Sequence, residues 1–229
     1  MYKPQLVVML THNDKTVSNA ADIFEQSKDS KAQIWGFKEE GIPVDEMKAL
    51  YSEIKKAGKT TVLEVVAYTE DKCIEGAKVA VECGCDVLMG TIYNDTVNAI
   101  CKENNIKYMP FVGDVYERPS ILGGSIDGMI NEANELLKKG VYGFDLLAYR
   151  YTGDASELIK RFVAEVDAPV CLAGSVDSNE RLREVFNSNT YSFTIGSAFF
   201  ENQFGSDFKD QIDYVCDYID SLAQEQANA

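Results

Sequence analysis

Three charged side chains stand where apolar ones would be expected. Glu64 interrupts Thr61-Val62-Leu63-Glu64-Val65-Val66-Ala67, Asp145 interrupts Gly143-Phe144-Asp145-Leu146-Leu147, and Lys38 follows Ile34-Trp35-Gly36-Phe37. A carboxylate in an apolar run is costly unless it has a partner or a task. Desolvation raises its pKa toward the range useful for general acid–base work. A lysine at the end of such a run can pair with either acid, polarise a carbonyl or form a Schiff base. The bland alternative is an ion-pair network that only closes the inside of the fold. The catalytic expectation is Lys38, Glu64 and Asp145, with the carboxylates as acid and base and Lys38 stabilising a developing enolate. An imine at Lys38 would instead make the reaction that of an aldolase or lyase.

Two Gly-Ser pairs form the second feature. Ala173-Gly174-Ser175 and Ile195-Gly196-Ser197 each close a short apolar run. Glycine lets backbone N–H groups approach a ligand closely, and amides with hydroxyls make an anion cradle. Gly174, Ser175, Gly196 and Ser197 are therefore expected to bind phosphate; each glycine taken alone would be read as a tight turn. Candidate substrate contacts are His12 and Asn13 in Thr11-His12-Asn13-Asp14, together with Arg118 and Arg150. The structural alternative for His12 is a loop or cap residue, and for Asp14 with Thr16 the start of the first helix. Arg150 could be a planar anion clamp or a surface arginine stacked between Tyr149 and Tyr151. Arg118 could be a lid contact or simply solvated.

The elements that must position these residues show as a rhythm. Apolar runs at Leu6–Leu10, Gln33–Phe37, Thr61–Ala67, Val87–Gly90, Tyr108–Val112, Gly143–Leu147, Val170–Ala173 and Ser192–Gly196 alternate with amphipathic stretches. In one of these, from Val44 to Ile54, Met47, Leu50, Tyr51 and Ile54 share a helical face. Gly58, Gly84 and Gly140 stand where helices would end. Eight βα units in 229 residues predict an α/β protein, a single-domain (β/α)₈ TIM barrel over residues 1–229. A doubly wound sheet would carry a glycine-rich turn after its first strand, and Thr11-His12-Asn13-Asp14 has no glycine. The active site is then expected at the C-terminal strand ends, with phosphate-binding loops after strands 7 and 8. The long connection from Gly113 to Gly124 is a candidate active-site loop.

Composition narrows the partners. With 22 Lys plus Arg against 37 Asp plus Glu, the net charge is −15, and no basic cluster suits nucleic acid or an anionic membrane. No apolar run spans a bilayer, and the start lacks a small-residue cleavage site, so a cytoplasmic protein is expected. The six cysteines form no Cys-x-x-Cys pair, and His12 is the single histidine. Packed, reduced thiols are expected rather than a zinc site. Neither a metal nor a cofactor is called for. Self-association through the Phe208–Leu222 helix is left open, so a homo-oligomer remains an option.

Ala168-Pro169-Val170-Cys171-Leu172-Ala173-Gly174-Ser175 and Phe193-Thr194-Ile195-Gly196-Ser197-Ala198 resemble the ribulose-phosphate-binding barrel superfamily. That superfamily holds phosphoribosylanthranilate isomerase, indole-glycerol-phosphate synthase, the hexulose- and ribulose-phosphate enzymes and N-acetylmannosamine-phosphate epimerase. The resemblance implies a small phosphorylated, sugar-like ligand. Beyond roughly residues 168–202 it is one of rhythm. The isomerase pattern wants a Cys ending strand one, where Thr11-His12-Asn13-Asp14 stands, and the decarboxylase-like pattern wants Asp-x-Lys where Leu63-Glu64-Val65 stands. The expectation is an isomerase or epimerase acting on a phosphorylated metabolite. The alternatives are a Lys38 aldolase or lyase, or a non-catalytic phosphometabolite sensor resembling the glycerol-phosphate-responsive antiterminator.

Overall fold

The computed structural model describes residues 3–228. Eight parallel strands form its centre: β1 (Gln5–Met9), β2 (Ile34–Lys38), β3 (Thr60–Val65), β4 (Val87–Gly90), β5 (Lys107–Met109), β6 (Phe144–Leu146), β7 (Val170–Leu172) and β8 (Ser192–Ile195). They are hydrogen-bonded in the order β6-β7-β8-β1-β2-β3-β4-β5. Two backbone bonds draw the outer strands together, from Tyr142 N–H to the Tyr108 carbonyl (2.9 Å) and from Asp145 N–H to the Pro110 carbonyl (3.1 Å). The result is a nearly closed (β/α)₈ barrel, as the alternation predicts.

Strand side chains alternate between the barrel interior and the surrounding helices. Val7, Met9, Ile34, Val62, Val87, Met89, Met109 and Cys171 fill the interior. Their neighbours along the chain, such as Val8, Trp35, Leu63 and Leu88, join the larger core beneath the helices. Those helices are α1 (Ala20–Ser27), α2 (Val44–Lys56), α3 (Glu70–Cys83), α4 (Asp95–Glu103), α5 (Ile126–Lys138), α6 (Ala155–Glu165), α7 (Asn179–Asn187), the short α8 (Ser197–Phe200) and α9 (Phe208–Ala227). The predicted face of α2 is the buried one: Met47, Leu50, Tyr51 and Ile54 all lie in the core. Tyr51 stacks on Phe37 and donates its hydroxyl to the Val62 carbonyl at 2.6 Å, so its single polar atom is satisfied.

Two connections differ from expectation. The turn after β1 is a small antiparallel hairpin, Thr11–His12 with Lys15–Thr16, and Asn13 and Asp14 at its tip both have positive φ. Asp14 therefore does not start α1; Asn19 precedes that helix. The long Gly113–Gly124 connection also contains a hairpin, Asp114–Tyr116 with Ile121–Gly123. All six cysteines are free, and only Cys216 is not fully buried. No helix among the described residues is long and apolar enough to cross a membrane.

Candidate active site

The strands deliver side chains to one end of the barrel, where a cavity of about 650 Å³ opens. Lys38 at the end of β2 and Glu64 on β3 are register partners, so the sheet itself sets them side by side. Their Nζ and Oε1 atoms are 3.4 Å apart, and their side chains are only 12% and 9% exposed. Lys38 also donates to Asp14 from the β1 hairpin. Burial works against the Lys38 ammonium, but the Glu64 and Asp14 carboxylates outweigh it and hold its pKa above the usual lysine range. Burial likewise opposes ionisation of Asp14, yet Lys38 and Arg118 keep that carboxyl below its usual value. The pair is thus a desolvated ammonium between two carboxylates, able to donate to a developing oxyanion while Glu64 accepts a proton.

Arg118 arrives on the second hairpin. Its Nε donates to Asp14 (2.6 Å), Nη1 to Glu40 (2.7 Å) and Nη2 to Glu39 (3.3 Å). The solvated reading of this arginine does not hold, because all three nitrogens are engaged by carboxylates. Burial and the nearby Glu64 raise the Glu39 carboxyl, while Arg118 pulls the other way. A bond between the Tyr68 hydroxyl and Ser120 Oγ (2.7 Å) ties the same hairpin to the end of β3.

The opposite wall carries the Gly-Ser loops. Gly174, Ser175, Gly196 and Ser197 all line the cavity, as do Asn13, Arg118 and Arg150. Gly174 has φ +81°, and a Cβ there would lie 2.8 Å from Nε of Arg150. Only glycine lets the guanidinium rest on this loop. The next residue, Ser175, holds φ +55° despite its side chain, local strain of the kind found at ligand sites. At Gly196 a Cβ would meet the Thr11 carbonyl at 2.8 Å, so glycine allows β8 to close against the β1 hairpin. Arg150 donates weakly to the Ser120 carbonyl (3.5 Å) and has no carboxylate partner among the described residues. The arginine stacked on Tyr149 is Arg181, at 4.0 Å, not Arg150.

Two expected residues are not brought into the cavity. Asp145 is fully buried inside the barrel on the rung it shares with Cys171, and neither carboxylate oxygen has a hydrogen-bond partner. It cannot touch a substrate without rearrangement. Burial, reinforced by the Glu64 carboxylate and only partly offset by Lys38, pushes its pKa well above the ordinary range and so favours its neutral form. His12 packs its ring against Phe200 (5.5 Å) at the end of α8 and does not line the cavity. Asp14 also lines the cavity, whereas Glu39 and Glu40 do not and reach it only by holding Arg118; the Lys38-Glu39-Glu40 run was the available signal for those two. Among the described residues no group of three or more His, Cys, Asp or Glu side chains is arranged to hold a metal.

No protein-family model and no curated protein matches the sequence. Solved structures do. Orotidine 5′-phosphate decarboxylase from Pyrococcus horikoshii OT3 superposes with a TM-score of 0.67 at 13% identity, covering 94% of this chain and 99% of the other. The N-acetylmannosamine-6-phosphate 2-epimerase from Clostridium perfringens gives 0.61 at 14% identity, over 85% and 86%. A 4-hydroxy-2-oxoglutarate/2-dehydro-3-deoxyphosphogluconate aldolase from TTHB1 gives 0.63 at 14% identity, over 93% and 94%. These likenesses extend over most of both chains, and the barrel fold is shared with all three.

Proposed function

We propose that the protein is an enzyme moving a proton beside the carbonyl of a small phosphorylated, sugar-like compound, an isomerase or epimerase. The observation that carries this is the Lys38–Glu64 pair, 3.4 Å apart in the same cavity as both Gly-Ser loops and Arg150. Phosphate would rest on the loop amides, the Ser175 and Ser197 hydroxyls and the Arg150 guanidinium. Glu64 would remove the proton next to the carbonyl, Lys38 would stabilise the enolate oxygen, and return of the proton to a neighbouring atom or opposite face completes the reaction. Asp145, enclosed beneath the cavity, would act only through its electrostatic effect on Glu64 and not on the substrate itself. The structural neighbours, enzymes of phosphorylated substrates, support a member of this broad class without favouring one reaction.

Imine chemistry at Lys38 is the less favoured reading. A Schiff base needs the neutral amine, whereas two carboxylates favour the ammonium. The test is solvent exchange. Incubated in D₂O with a panel of phosphorylated aldoses and ketoses, the protein should put deuterium beside the carbonyl of at least one, read by NMR. Glu64→Gln and Lys38→Met should each lower that exchange by about 10²- to 10⁴-fold, while phosphate still raises their melting temperature. Borohydride inactivation with label on Lys38, or full exchange in Glu64→Gln, would sink the proposal.

A further inference from the structure

The cavity wall brings in four cationic side chains, Lys15, Lys38, Arg118 and Arg150. Three of them are engaged by carboxylates. Lys38 lies between Asp14 and Glu64, and Arg118 makes one hydrogen bond from each of its three nitrogens, to Asp14, Glu40 and Glu39. Lys15, at the exposed rim, faces Glu40 at 3.7 Å. Arg150 alone has no carboxylate partner among the described residues, and it rests on the Gly174 loop. The far side of the cavity from that loop is therefore rich in acceptors already neutralised in pairs, with Asp14 and Glu64 as its most enclosed charges.

An anion placed there would meet those carboxylates, while each cation on that side already faces a carboxylate among the described residues, and like charges in a poorly solvated site repel strongly. Hydroxyl groups meet the opposite situation. They can donate to Asp14 and Glu64, and the Asn13 amide, which also lines the cavity, can serve them as donor or acceptor. We propose that the site accepts one anionic group only: its substrates are monophosphate esters whose remainder is uncharged and hydroxyl-bearing, and bisphosphates or phosphorylated carboxylic acids are rejected. The proposal rests on the phosphate reading above and narrows it by the pairing of Lys38 and Arg118.

A matched series tests it by calorimetric titration of the full chain. D-arabinitol 5-phosphate, D-arabinonate 5-phosphate and D-arabinitol 1,5-bisphosphate share a carbon chain and differ at C1 alone, as alcohol, carboxylate and phosphate. The alcohol should bind at least about tenfold more tightly than either of the others. Glu40→Gln, outside the reacting pair, releases one Arg118 nitrogen and Lys15. It should improve arabinonate 5-phosphate binding roughly two- to fivefold, the scale of a partly exposed charge pair, and leave the alcohol unchanged. Equal or tighter binding of the carboxylate or bisphosphate by the parent overturns the proposal while leaving the phosphate site standing. A parent preference unaltered by Glu40→Gln also overturns it, because the preference would then not come from the engaged cations. If none of the three, nor inorganic phosphate, binds, the phosphate reading fails and this proposal goes with it.

Discussion

Asp145 has no partner for either oxygen and no exposure to water, a state that burial tolerates only for the neutral acid. This has a consequence for stability. In the unfolded chain an aspartate ionises near ~3.9, whereas in the fold burial keeps Asp145 protonated far above that. Below the unfolded value both states hold the proton. Above it the unfolded chain releases a proton that the folded chain keeps, so stability is lost as pH rises, at about 1.4 kcal/mol per pH unit for one group. Asp145→Asn removes that slope. The difference in unfolding free energy between variant and parent should therefore grow in favour of the variant as pH rises above the unfolded aspartate value, read in urea titrations. Parallel curves would mean that Asp145 is ionised in the fold and has a partner. Asp14 acts in the opposite sense: its lowered pKa makes its contribution one that disappears as pH falls.

At the scale of elements, the Gly174 loop and the Arg118 hairpin form two walls of the cavity. Gly174→Ala places a side chain at φ +81° and 2.8 Å from the Arg150 guanidinium. It should cost about 1 kcal/mol or more in stability and abolish the phosphate-induced rise in melting temperature; a retained rise would free Gly174 of any ligand role. Arg118→Ala leaves Asp14, Glu39 and Glu40 without their shared cation. The hairpin over residues 114–123 should then exchange its amides faster with solvent, while the strands β1 to β3 keep their protection; unchanged exchange would show that its bonds to Tyr68, Arg150 and Thr152 hold it without Arg118. These walls also mark the limit of what the sequence discloses. The eight strands were legible because each is a short apolar run between amphipathic helices, and Lys38 and Glu64 because a charge in such a run is conspicuous. The hairpin at Asn13-Asp14 was not, since its role arises from an ion pair across 24 residues. Nor was the enclosure of Asp145: the run around it says that it is buried, but not that the cavity stops short of it.

For the whole molecule the deciding quantity is the net charge of −15. On the proposed reading, a phosphate ester would approach through a negative field and gain from Arg150 and the loop amides only once inside. Field effects of this size act on association rates, and added salt screens them, with a Debye length of about 10 Å at 0.1 M. For a protein that steers its ligand in by attraction, salt slows association. Here the sign reverses: raising KCl from 10 to 150 mM should speed binding of D-arabinitol 5-phosphate by roughly two- to fivefold in stopped-flow measurements. The dissociation rate should respond less, because it depends on contacts inside the cavity, where salt screens poorly. Slower association with added salt would mean that the field at the cavity mouth is positive in spite of the surrounding acids. Lys15 and Arg118, rather than Arg150, would then be the groups the ligand meets first, and their pairing with Glu40 would have to open as it enters.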